Sequence, residues 1–97
     1  MKWSDYPAPH PQVAAQVVDD EALIVLTDAG EILVLDPVGT RVWVLSDGTR
    51  TARRIAHEIA GEFEVTRVQA RADVAEFLTT LAQERVVEFH TAPVADK

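Results

Sequence analysis

A chain of 97 residues, 47% of them apolar and 26% charged, has room for one hydrophobic core and lies far from the composition of disordered chains. It contains no cysteine, which excludes disulfide frameworks, thiolate nucleophiles, zinc fingers and cysteine-ligated iron-sulfur clusters. Sixteen acidic side chains against nine basic ones give a net charge of −7, so the average surface repels a nucleic-acid backbone.

No apolar run approaches the ~18 residues that span a bilayer, and the N-terminus lacks a basic patch followed by an apolar stretch, so no membrane association and a cytoplasmic protein are expected. Pro7, Pro9 and Pro11 stand at every second position and are expected to block regular structure and favour an extended path. Residues 1–12 are therefore read as a proline-rich arm, with Trp3 and Tyr6 available for docking on the domain or on a neighbour. Three strands follow over 13–18, 22–27 and 32–35, each rich in β-branched residues and bounded by turn signals, giving an antiparallel meander. Between the second and third, Gly30 in Thr27-Asp28-Ala29-Gly30-Glu31 can take the left-handed conformation that closes a short hairpin with a bulge.

Asp36 is placed to cap a helix whose first position is Pro37, running to about residue 45 with Val38, Val42 and Leu45 on one stripe, and Asp47-Gly48 stops it. Thr51 caps a second helix to about residue 62, with Ile55, Ile59 and Phe63 on one face. Thr66 caps the third and longest, to about residue 85, with Val74, Phe77, Leu78 and Leu81 at apolar spacing. A short strand over 86–89 and a loose tail over 90–97 complete the chain. The fold class is α+β, a three-stranded antiparallel sheet followed by three helices, similar to a winged helix-turn-helix although the sheet precedes the helices.

The second and third strands are apolar at every position, Leu23-Ile24-Val25-Leu26 and Ile32-Leu33-Val34-Leu35, so both sheet faces want cover. Cover can come from the third helix, from a dimer mate or from a ligand strand; alternatively the runs are simply core. The sheet edges lack the proline and lysine that blunt edges, which favours addition of an extended peptide. Chemistry finds little support. His10, His57 and His90 are scattered, His57-Glu58 has no second histidine, Asp19-Asp20-Glu21 reads as a solvated turn, and Ser4 and Ser46 have no histidine nearby in sequence. The glycines stand nine, nine and thirteen apart, so no phosphate loop is present. An enzyme is not expected, nor is a metal or cofactor. Arg50, Arg53, Arg54, Arg67 and Arg71 do gather around the second and third helices, which keeps a DNA-binding regulator as the alternative.

The stretch Leu35-Asp36-Pro37-Val38-Gly39-Thr40-Arg41-Val42-Trp43-Val44-Leu45 resembles the Leu-Asn-Pro-Thr-Gly-x-x-Ile-Trp-x-Leu signature of PqqD-like proteins. Asp47-Gly48-Thr49-Arg50-Thr51 with Ile55-Ala56 resembles the next block of that family, and Ala72-Asp73-Val74 through Phe77-Leu78 and Leu81 its third helix. The resemblance covers roughly residues 13–89. Asp36 and Val38 depart from the usual Asn and Thr, preserving the capping chemistry at 36 and losing a hydroxyl at 38. The resemblance implies a recognition element that binds the leader of a ribosomally made precursor peptide and presents it to a modifying enzyme such as a radical SAM protein. It implies that the leader adds antiparallel to the third strand, at Ile32, Leu33, Val34 and Leu35. The helical side of the groove is then drawn from Arg71, Asp73, Val74, Phe77, Leu78 and Leu81. The pathway stays open among pyrroloquinoline quinone, lasso peptide and other peptide systems, and a homodimer covering the second sheet face is a further reading.

Overall fold

The computed structural model describes residues 1–26 and 30–94. Among them the elements run β1 (Tyr6–Pro9), β2 (Ala14–Val18), β3 (Glu21–Leu26), β4 (Glu31–Val34), α1 (Pro37–Leu45), α2 (Ala52–Glu62), α3 (Arg67–Gln83) and β5 (Val87–His90). The expected three-stranded antiparallel sheet is present in the order β2-β3-β4, and the three helices follow it. A second sheet, β1 paired with β5, was not foreseen.

Each helix starts where its cap chemistry dictates. Asp36 Oδ1 accepts from the Gly39 N–H at 2.7 Å, Thr51 Oγ1 from Arg54 at 3.1 Å and Thr66 Oγ1 from Gln69 at 3.1 Å. The ends of α2 and α3 are built differently from the glycine stop that sequence rules favour. Glu64 and Arg85 take left-handed φ values of 52° and 58°, and the following N–H groups reach back, Val65 to Ala60 O at 3.3 Å and Val86 to Leu81 O at 2.8 Å. This is the reach-back closure of a helix C-terminus, made by residues that carry a Cβ. With no glycine to mark the stop, the sequence places the end of α3 at about residue 85, and the helix ends two residues earlier, at Gln83.

The proline arm is ordered by pairing. Tyr6, Pro7, Ala8 and Pro9 stand opposite His90, Phe89, Glu88 and Val87, and His10 continues the ladder by donating to Val86 O at 2.9 Å. In an antiparallel pair, successive residues direct their backbone groups to opposite sides. With His10 facing β5, the even positions hold the ladder and the odd positions, Pro7 and Pro9, face away, where a missing N–H costs nothing. The Pro7 carbonyl on that outer side accepts from the Gly48 N–H at 2.8 Å. The arm also closes the N-terminus of α2: Ala52 donates to Asp5 O at 2.8 Å and Arg53 to Trp3 O at 3.0 Å. With Thr51 serving Arg54, three donors that helices leave unpaired are satisfied. The C-terminal stretch, expected to be loose, is strand to His90 and is tied further on, where Val94 donates to Gly48 O at 2.8 Å.

The core is one cluster in which Ile24, Val42, Leu45, Ile55, Ile59, Val74, Leu78, Leu81 and Val86 are almost wholly sequestered from solvent. It lies between the helices and one face of the β2-β3-β4 sheet. Asp19 and Asp20, with φ of 49° and 65°, join β2 to β3 in a two-residue turn whose positive φ values match the twist of the strands. Gly30 has φ of 66°, as its turn requires; the rest of that turn, and the bulge expected in it, lie outside the described residues.

Candidate functional site

β4 is an edge strand, and its register fixes which of its groups are free. The Leu35 N–H donates to Ala22 O at 2.9 Å, so by antiparallel alternation Leu33, opposite Ile24, and Glu31, opposite Leu26, also face β3. Ile32 and Val34 then direct both N–H and C=O off the free edge. Their side chains share the outer face of the sheet with Leu23 and Val25, and at 63% and 53% exposure they are among the most open large apolar residues of the protein. Cover for this face, anticipated from the continuous apolar runs, is not provided by α3, which packs on the opposite side. The strand therefore presents an apolar surface and unpaired backbone groups together, two features that natural edges normally avoid.

Beyond β4 the chain turns at Leu35-Asp36 directly into α1. Gly39 lies against the Phe77 ring of α3 so closely that a Cβ at that position would fall 2.5 Å from Phe77 Cε1. A glycine here lets the half-buried ring rest on the α1 backbone, on the flank of α3 that looks toward α1, the helix that directly follows β4. Asp73, one turn earlier on the same flank, accepts from Gln69 Nε2 at 2.9 Å. Thr40 stitches the junction from beneath: its Oγ1 accepts from the Ala22 N–H at 2.8 Å and donates to Leu35 O at 3.2 Å, all inside the core.

The structure separates the residues expected to form the groove into three groups. Ile32, Leu33, Val34, Asp73 and Phe77 are at least partly accessible and stand on β4 or on the near flank of α3. Leu35, Val74, Leu78 and Leu81 are core residues, with Leu35 at 5% exposure and the other three at 0%, so they support the surface and do not offer a contact to a docking chain. Their apolar spacing on α3 is that of a helix facing a core. Arg71 lies elsewhere: at about 100° per residue it is well over a quarter-turn from Phe77, on the flank that faces α2, with its guanidinium 6.0 Å from the centroid of the Trp3 ring.

That second flank lines a concavity of about 310 Å³ between α2 and α3, walled by Thr51, Arg53, Arg54, Ala56, His57, Arg67 and Arg71. Of the arginines that cluster around the second and third helices in the sequence, the pairing of α2 with α3 brings all but Arg50 to this one hollow, which the sequence does not reveal. Outside the hollow, Arg41 and Arg50 are paired with carboxylates. Arg41 grips Glu62 through Nε and Nη2 at 2.8 and 3.2 Å, and chiefly that hydrogen bond holds its pKa above the ordinary value. Arg50 lies 3.2 Å from both Asp47 and Glu58. Burial pushes the Asp47 carboxyl up, but hydrogen bonds from Thr49 and the nearby Arg50 outweigh it and leave its pKa lowered. Among the described residues, no group of three His, Cys, Asp or Glu is placed to hold a metal, and no helix is long and apolar enough to cross a membrane.

Known structures share this fold. The structure described as TbiB1 in complex with the TbiA(beta) leader peptide superimposes with a TM-score of 0.73 over 92% of this chain and 99% of that one, at 30% identity. The solution structure of the PqqD truncation of Methylobacterium extorquens PqqCD, a stand-alone RiPP recognition element, matches with a TM-score of 0.73 over 91% of this chain and 94% of that one. At 24% identity, the second match is a likeness of fold. The three helices and three-stranded antiparallel sheet thus define a small α+β domain of this type. The family model for coenzyme PQQ synthesis protein D (PqqD) matches residues 21–87, and the chain belongs to the PqqD family. Among its relatives are the PqqA binding proteins of Xanthomonas euvesicatoria pv. vesicatoria (strain 85-10) and Xanthomonas axonopodis pv. citri (strain 306). Each is 38% identical over 63 residues, which is 65% of this chain and 68% of the relative.

Proposed function

We propose that this protein binds the leader of a ribosomally synthesised precursor peptide as an added antiparallel strand on β4 and presents that peptide to a modifying enzyme. The observation that carries the proposal is the free edge of β4, where Ile32 and Val34 offer unpaired backbone donors and acceptors beside exposed apolar side chains. Relatives named for binding PqqA, and a structural neighbour in complex with a leader peptide, support it. Backbone pairing supplies affinity without regard to sequence, and alternate side chains of the leader supply specificity. Those on one face meet the flank formed by Leu33, Phe77 and Asp73, and those on the other lie beside Ile32 and Val34. Leu35, Val74, Leu78 and Leu81 hold that flank in place from within the core.

The role is delivery in the cytoplasm, with chemistry left to a partner of the radical SAM or cyclase type. The competing reading, a winged helix-turn-helix regulator of DNA, is favoured by the arginines of α2 and α3 and opposed by the net charge of −7. Salt separates the two. Titration of labelled leader peptides, taken from short open reading frames beside the gene, should give saturable binding that is nearly unchanged in high salt. Val34→Pro removes an outward donor without touching the β3 ladder, so the variant should fold and lose that binding. Undiminished leader binding by folded Val34→Pro, or affinity for duplex DNA that collapses with salt, would overturn the proposal.

A further inference from the structure

On an acidic chain, four of the nine Lys and Arg side chains line one hollow, joined there by His57. Of these four, Arg54 has a carboxylate neighbour, Glu58 Oε2 at 3.8 Å, whereas Arg53, Arg67 and Arg71 have no carboxylate within ion-pair distance among the described residues. Like charges held together without counter-charge destabilise the fold that holds them. The usual neutral explanation, that a helix N-terminus gathers anions, does not apply, because the first three N–H groups of α2 are already taken by Trp3, Asp5 and Thr51. The guanidiniums therefore form the recognition surface themselves, and Trp3 props one of them by lying beneath Arg71.

We infer that the α2–α3 hollow docks an acidic segment of a partner polypeptide, with Asp or Glu side chains inserted among Arg53, Arg67 and Arg71. Guanidinium forks match carboxylates bidentately, and several converging on one hollow can hold more than one carboxylate of the same segment. A nucleic acid is the poorer fit, since tracking a phosphate backbone needs a basic stripe over an extended surface, and here the basic groups converge on one hollow of an otherwise acidic protein. The hollow is lined by residues of α2 and α3 and the cap Thr51, and by none of β4, so an acidic partner there leaves the β4 edge free for a peptide. The inference does not rest on the peptide reading, and the two fail separately.

The test is an NMR titration of the full chain with an oligoglutamate peptide, with oligoglutamine, inorganic phosphate and a short DNA duplex of equal charge as comparators. Oligoglutamate should shift the amides around Arg53, Arg54 and His57 and those from Arg67 to Arg71, and oligoglutamine should not. The double variant Arg53→Gln/Arg67→Gln should weaken binding by about tenfold or more, whereas Arg41→Gln, whose charge is already paired, should leave it unchanged. His57→Glu places a carboxylate in the hollow on the exposed face of α2. It should raise Tm at low salt by supplying the missing counter-charge and should block the peptide, and the loss of binding is the readout that a merely structural arginine cluster would not give. The inference is overturned by an absence of shifts, by equal weakening in Arg41→Gln, by undiminished binding in His57→Glu, or by preference for phosphate or duplex over oligoglutamate.

Discussion

Thr40 carries a role out of proportion to its size. Its hydroxyl is the buried partner of both the Ala22 N–H and the Leu35 carbonyl, so it fastens β3 to the residue that follows β4. Thr40→Val keeps the shape and removes both hydrogen bonds, leaving a buried donor unpaired, and urea unfolding should register a loss of about 1–3 kcal/mol. No loss would mean that the junction is held by apolar packing alone. Arg85 gives the opposite case, a left-handed residue with a Cβ at the end of α3. Arg85→Gly should stabilise by roughly 0.5–1 kcal/mol in the same assay, since glycine takes that conformation without strain. Caps, stripes and proline positions made the start of every helix readable from the residues. The end of α2 was readable as well, at Glu62, whereas that of α3 was less so, because Arg85 does by tertiary context what glycine does by propensity. Likewise the apolar positions of α3 could be identified but not divided: Val74, Leu78 and Leu81 share the spacing of Phe77, and only packing decides which are interior.

Among the elements, the arm changes most between sequence and structure. Three prolines argue against a strand when counted, yet Pro7 and Pro9, spaced by two within β1, place both missing donors on one side, and the other side pairs with β5. The alternation was visible and so was a short strand over 86–89; the pairing of the two, some eighty residues apart, was not. Because the arm also satisfies the first two donors of α2, removing its contacts should act at a distance. Trp3→Ala should accelerate hydrogen exchange at the Ala52 and Arg53 amides while the amides of β3 stay protected. Unchanged exchange at the start of α2 would show that the arm is not needed to close that helix. The strands of the meander were readable to within a residue or so from β-branched runs and turns. Their order followed from short connections, but the direction of each backbone group at the β4 edge needed the register.

For the molecule as a whole, the division of labour follows from α3. One flank carries Phe77 and Asp73 on the side of α1, and the other carries Arg67 and Arg71 toward α2, with the core between them. An edge able to accept a strand and a hollow able to accept carboxylates are thereby set on one rigid support, an arrangement suited to bringing two polypeptides together. The decisive measurement is residue-resolved amide hydrogen exchange of the chain alone and saturated with leader peptide. Strand addition on β4 requires the Ile32 and Val34 amides to pass from rapid to slow exchange, while Leu33 and Leu35, already bonded to β3, change little. Saturable binding that leaves Ile32 and Val34 exchanging freely, or that protects the β2 edge instead, would contradict the account.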